Sequence, residues 1–261
     1  NVQSGKREKV QVLIDGTDSA AAGVINKYLV QISSDLSVRL MNRSFTPPVS
    51  FVSRYLFNPE LNSKWFSVPG IAVVIMAILC TLLTSLTVAR EWEKGSMELL
   101  LSTPVKPMEI IIGKLLPYAF LSLCSVLIVY VLARLWFDVP FRGSHIIFIL
   151  SCLIFLVGYL AIGLVISVVL RKQLTAMQAA MIVGLLPTNL LSGFIFSVEN
   201  MPLGFQWFAS VFPARWFMSI TRDQFLKGSN IFQLATPIIA MSIISVILVS
   251  VAVVKFKGDL D

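Results

Sequence analysis

Two long apolar runs bracket one short charged segment, and that arrangement limits the chain to very few folds. Val68 to Val88 carries no charge at all, and Leu115 to Phe137 is apolar apart from Arg134 near its far end. At about 1.5 Å of rise per helical residue, each run reaches across a hydrocarbon core of about 30 Å. A backbone in that core must satisfy its own hydrogen bonds, so the runs read as transmembrane helices. Ala89 to Pro104, the charged and amphipathic stretch between them, therefore lies at one membrane face.

Three further spans follow, at Ile146 to Leu170, Leu174 to Phe196 and Phe232 to Val254. A chain that is 56% hydrophobic and only 13% charged suits five visible spans far better than a soluble core. Orientation comes from the basic residues at the span ends. Arg90, Lys94, Lys106 and Lys114, then Arg171 and Lys172, then Lys255 and Lys257 all fall on one side if the spans alternate. The positive-inside rule makes that side the cytoplasm and places the first 67 residues outside. The same dispersed residues account for the net charge of +7. No basic stripe interleaved with aromatics is present, so nucleic acid is excluded as a partner.

Within the charged segment, Gly95 and Ser96 can break and cap a helix, after which Met97, Leu100, Leu101 and Pro104 recur on one side. Thr103-Pro104 ends it, because the residue before a proline is pushed out of the helical region. Such a segment either docks a partner or rests on lipid. Its order, Arg90, Glu91, Glu93, Gly95, Ser96, Glu98, Leu99, Leu100, Leu101, Thr103 and Pro104, resembles the coupling helix of ABC-2 type exporter permeases. The usual form there is Arg-Glu, a further Glu, Gly-Thr or Gly-Ser, a Glu, two or three leucines, then Thr-Pro.

That resemblance implies a permease subunit of an ATP-driven exporter of drugs or other hydrophobic or amphipathic, lipid-like molecules. Residues 91–104 would form the coupling helix, with Glu91, Glu93 and Glu98 offering charge and Met97, Leu100 and Leu101 apolar contact to a separate ABC ATPase. ATP and Mg would be held by that partner, with no cofactor on this chain. It further implies pairing with a second copy or a similar permease, a bacterial inner-membrane location, and a periplasmic adaptor and outer-membrane channel as additional partners. Six spans per subunit are usual in the family, so the first is expected ahead of Asn1.

The outward domain, residues 1–67, reads as a small α/β unit. Val10 to Ile14 has the composition of a buried strand, and Asp15 to Ser19 that of a turn into a helix cap rather than a calcium loop. Ile25, Leu29, Ile32, Leu36 and Leu40 follow at close to helical period, until Thr46-Pro47-Pro48 stops the region. Val49, Phe51, Ser53, Tyr55 and Phe57 then alternate as a second strand.

Two spans carry polar faces. Thr81, Thr84 and Ser85 line up on the first with Val88, and Gln178, Thr188, Asn189 and Ser192 fall roughly on one side of the fourth, where Pro187 can kink the helix. Polar groups are costly in lipid and turn inward, either to line a substrate pathway or to hold helices together. The resemblance favours the pathway. Between the last two spans, aromatic stretches around Trp207-Phe208 and Phe212-Pro213-Ala214-Arg215-Trp216-Phe217 read as an interfacial belt, and resemble the re-entrant outer helices, at about 198–228, of the same permeases.

Catalytic chemistry is poorly served. His145 has no carboxylate or cysteine near it in sequence, Cys80, Cys124 and Cys152 have no metal or redox spacing, and Gly113-Lys114-Leu115 lacks the other residues of a phosphate-binding loop. No Asp, Glu or Lys lies at a span centre, which disfavours a proton-coupled carrier. A membrane-anchored sensor or scaffold, with the outer domain as its binding module, is the alternative from another class.

Overall fold

The computed structural model describes residues 12, 14, 19–40, 63–97 and 107–258. The chain divides into two compact units, Asn1–Phe66 and Ser67–Asp261. Among the described residues there are eight α-helices: α1 (Ser19–Leu40), α2 (Ser63–Glu93), α3 (Pro107–Leu135), α4 (His145–Leu170), α5 (Gln173–Leu190), α6 (Leu203–Ser210), α7 (Pro213–Arg222) and α8 (Ala235–Gly258). A 3-10 turn at Val198–Asn200 and a π-helical turn at Asp223–Lys227 flank the short pair α6 and α7.

In the first unit, helix α1 forms where the periodicity places it, but Ile25, Ile32 and Leu36 on its apolar stripe are exposed. Val12 and Ile14, from the first expected strand, have no regular structure. The Asp15–Asp18 turn and the second expected strand, residues 49–57, lie outside the described residues. The described part of this unit is therefore helical, and the expected α/β fold is not shown.

In the second unit, four helices are long and apolar enough to cross a membrane: α2, α3, α4 and α8. The expected fourth span is shorter than its sequence suggested. Instead of reaching Phe196, α5 stops at Leu190 after 18 residues, about 27 Å of rise. The stop is local. The Leu191 amide bonds the Pro187 carbonyl, the Ser192 hydroxyl accepts the Phe194 amide, and Gly193 turns the chain at a φ of 86° that favours glycine. Gln173, Gln178, Thr188 and Asn189 also dilute the apolar character of α5.

Helix α4 is the centre of the bundle, in contact with α3, α5, α7 and α8. Phe155, Leu156, Tyr159, Leu160 and Leu164 bury its length, and Phe155 stacks on Phe217 of α7 at 4.3 Å between ring centroids. The tightest approaches occur at glycines. A Cβ on Gly163 of α4 would lie 2.7 Å from the Thr81 carbonyl of α2, and one on Gly184 of α5 would lie 2.5 Å from the Thr81 hydroxyl. With lipid as apolar as leucine, such closeness is what holds spanning helices together.

The far end of α4 is capped from a distance. Ser144, at its N-cap, makes no side-chain cap bond. Its amide donates instead to the Gln224 side-chain oxygen at 2.7 Å, while the Arg142 and Gly143 amides donate to the Gln224 carbonyl at 3.2 and 2.9 Å. Gln224 is fully buried, and the π-helical turn that carries it is what aims both of its oxygens at the α3–α4 loop.

Gly163→Leu should therefore force α2 away from α4 and lower the thermal transition of the full-length protein in detergent, at a cost of about 1–3 kcal/mol or more. Gly113→Ala on α3, with nothing within 4 Å of an added Cβ, should leave the transition unchanged or slightly raise it. Equal transitions for the two variants would contradict the close crossing.

Candidate functional site

Helix α2 does not end with its apolar run. It continues through the charged residues, so Arg90, Glu91 and Glu93 form its last turn. Gly95, at a φ of 70°, breaks it, with the Lys94 and Gly95 amides closing onto the Arg90 and Trp92 carbonyls. The Ser96 hydroxyl donates to the Glu91 carbonyl at 3.2 Å, so Ser96 helps close the end of α2. A new helical turn opens at Ser96 and Met97. Glu98, Leu99, Leu100, Leu101, Thr103 and Pro104 lie outside the described residues.

Glu91, Trp92, Glu93 and Met97 each contact another part of the chain. Glu91 is ion-paired with Lys114 of α3. Glu93 accepts the Gln173 amide, the first of α5, at 2.9 Å. Between them, Trp92 lies under the guanidinium of Arg171, 4.6 Å from its ring centre. Arg171 closes α4 in a left-handed conformation, φ 50°, with its amide on the Ser167 carbonyl. Met97 is completely buried among Val88, Ile110, Ile111, Leu164 and Phe256, and its sulfur lies 3.5 Å from the Lys114 ammonium.

Expected to meet a docking protein, Glu91, Glu93 and Met97 thus each have a contact within this chain. Met97 itself is completely buried. Glu91 and Glu93 spend their carboxylates on α3 and α5. Only Arg90, Glu93, Lys94 and Gly95 keep substantial exposure in the stretch 90–97. The partners Trp92, Lys114, Arg171 and Gln173 were not singled out for this role from sequence. Lys114 and Arg171 did stand out as basic residues at span ends, and their meeting point at one end of the bundle was the available signal.

The polar faces separate into two groups. Thr81, Thr84 and Ser85 are buried, and their hydroxyls donate to their own helix at the Ala77, Cys80 and Leu82 carbonyls over 2.7 to 3.1 Å. Thr81 and Thr84 face Gly163, and Thr81 also faces Gly184, in the crossings described above. Thr188 is buried too, and shares a 2.8 Å hydrogen bond with Tyr159 of α4, a central hydroxyl that sequence reasoning passed over. Ser192 is buried in the turn after α5. Gln178 is exposed and Asn189 half-buried. Within one protomer, then, Thr81, Thr84 and Thr188 lie at helix–helix contacts, and Gln178 is on an exposed face.

At the opposite end of the bundle, the His145 ring bonds the Tyr130 hydroxyl at 2.8 Å inside an aromatic cluster with Phe141, Phe148 and Phe225. Its partner is thus a phenol from α3. Arg215 bonds the Gln206 carbonyl at 2.8 Å and the Ser210 hydroxyl, bracing the elbow between α6 and α7. Among the described residues no group of three or more His, Cys, Asp or Glu could hold a metal ion.

A family model described as "ABC-2 family transporter protein" matches residues 1–254. The chain belongs to this ABC-2 family. It is 34% identical over 255 residues to "Probable multidrug ABC transporter permease YbhS" of Escherichia coli K12, covering 97% of this chain and 68% of that protein. YbhR of the same strain, named in the same words, is 33% identical over 223 residues, 85% of this chain and 60% of its own length. "ABC transporter G family member 20" of Dictyostelium discoideum is 27% identical over 223 residues, 84% of this chain and 30% of that protein. The ABC-2 chain is thus a polytopic membrane permease subunit of an ABC transporter. Membership implies an ABC ATPase as a separate partner and pairing of permeases.

Thr188→Val would strand the buried Tyr159 hydroxyl and should cost about 1–3 kcal/mol, read as a lowered thermal transition of the full-length protein. Gln178→Leu, on the exposed face, should leave that transition in place. The reverse ranking would contradict the division of the polar residues between packing and surface.

Proposed function

We propose that this ABC-2 chain is the membrane half of an exporter for hydrophobic or amphipathic molecules, driven by ATPase subunits that dock beside the end of α2. The observation that carries the reading is the continuity of α2 from an apolar span into a charged turn tied at once to α3, α4 and α5. A force applied just beyond Met97 reaches three spans through the contacts around that turn. The full-chain family match and the permease names of the relatives support the same reading.

In this proposal the end of the bundle bearing Arg90, Lys94, Lys114, Arg171, Lys172 and Lys255 faces the cytoplasm, as the concentration of positive charge favours. Residues 98–104 form the docking helix, with Glu98, Leu100 and Leu101 turned to the ATPase and Arg90 beside them. The first unit and the segment at about 198–228, with its short α6 and α7, lie on the outer side, the latter as re-entrant helices. Gln178 and Asn189 border the substrate route on the exposed face of α5, where a paired permease would meet it. YbhS and YbhR are named as multidrug permeases, which supports a lipophilic substrate. An inner-membrane location has the same kind of support from "Inner membrane transport permease YhhJ" of Escherichia coli, 28% identical over 243 residues.

The test is purification of the full-length transporter with its ATPase from membranes, comparing the unaltered chain with the double variant Glu98→Ala, Leu101→Ala. The ATPase should accompany the unaltered chain and be lost, or fall at least severalfold, with the variant. Undiminished recovery of the ATPase with the double variant would remove residues 98–104 from the docking surface.

A further inference from the structure

The geometry at the end of α2 points to Glu93 as a positioning residue: its carboxylate couples the end of α2 to α5 by capping that helix, and we propose that ATP-driven motion enters α5 through this bond. The inference rests on the ATPase-coupled reading above and specifies the path within it.

A helix leaves its first backbone N–H groups without intrahelical partners, and its N-terminus carries partial positive charge. α5 has no cap of its own. Lys172 occupies the N-cap position and makes no side-chain cap bond. The Gln173 amide is satisfied instead by Glu93, a residue 80 positions earlier, in a charge-assisted bond of 2.9 Å. Side-chain packing adds little at this point. Gln173, Leu174 and Thr175 are exposed, and Glu93, Gln173, Leu174 and Met177 line an open crevice of about 290 Å³.

The neighbouring helices are tied to the same turn by other means. α3 is fixed to the same turn by the Glu91–Lys114 pair and by Met97 buried against Ile110 and Ile111. The end of α4 is fixed by Arg171 over Trp92. Further along, α5 meets its neighbours through Ala176, Ala180, Gly184 and Thr188, a stripe of small residues at four-residue spacing. At its first turn the polar tie to α2 is the Glu93 bond, and that turn leads directly to Gln178.

One substitution removes the donor and little else. Proline is well tolerated at the first position of a helix, and the residue before it must be extended. Lys172 already has a φ of −119° and a ψ of 130°. Gln173→Pro therefore deletes the N–H that Glu93 holds while preserving α5. Glu93→Leu removes the acceptor instead and is the second variant, and Glu93→Gln retains an acceptor oxygen.

The experiment uses the full-length transporter assembled with its ATPase, with Cys80, Cys124 and Cys152 replaced by serine and spin labels at Leu174→Cys and Lys255→Cys. Distances are measured without nucleotide and after trapping with ATP and vanadate. With the latch intact the distance distribution should shift on trapping. With Gln173→Pro or Glu93→Leu the shift should be lost although vanadate trapping persists, and Glu93→Gln should restore it. A full shift in both latch variants, or no shift in the intact protein despite trapping, would overturn the role of Glu93 while leaving the ATPase-coupled reading in place. Failure of the intact assembly to bind or trap nucleotide at all would overturn that reading, and the inference with it.

Discussion

In a bilayer, helices gain nothing by hiding apolar side chains from one another, so lasting contact has to come from closeness. α2 achieves it at Thr81, whose carbonyl meets Gly163 of α4 and whose hydroxyl meets Gly184 of α5. The hydroxyls on this face return their hydrogen bonds to their own helix, which lets polar side chains sit in the interior without orphaned groups. The crossing also aligns the far end of α2. It brings Trp92 under Arg171 and Glu93 to the start of α5, about three helical turns beyond the glycines.

The two ends of α4 are then held by different means. At one end, Gln224 caps it through a side-chain oxygen, and its carbonyl takes two further amides of the preceding loop. At the other, a left-handed arginine closes it and stacks on Trp92. α4 is thus held at both ends and packed along its length by Phe155, Tyr159 and Leu164. α5 is held along its length by the Gly184–Thr81 approach and the Thr188–Tyr159 bond, and at its first turn by the Glu93 carboxylate. On the proposed reading, the Glu93 bond carries a docking event at residues 98–104 to the helix that bears Gln178 and Asn189.

Much of this frame was legible in the sequence, because long uncharged runs leave a backbone no alternative to the helix in lipid. α2, α3, α4 and α8 lie where those runs place them. The early end of α5 was hidden because Leu191 to Phe196 is as apolar as a span, and only the local bonds of Pro187, Ser192 and Gly193 reveal the turn. The direction of Glu91 and Glu93 was hidden for another reason. A charge at a helix end can face solvent, a partner or its own protein, and the choice depends on Lys114 and Gln173, which are remote in sequence. Thr81, Thr84, Ser85 and Thr188 show the same ambiguity, since small hydroxyl residues serve packing and lining equally well. The strands expected before and after α1 stand apart: Val12 and Ile14 have no regular structure, and residues 49–57 lie outside the described residues.

The central claim is that the end of α2 moves as one body with the starts of α3 and α5. Hydrogen exchange of the full-length transporter bound to its ATPase, compared without nucleotide and after vanadate trapping, tests it most directly. The account predicts that amide protection changes together in residues 90–97, 107–116 and 173–180, while residues 142–148 and 223–228 at the opposite clasp keep theirs. A change in 90–97 with residues 173–180 unaltered would contradict it.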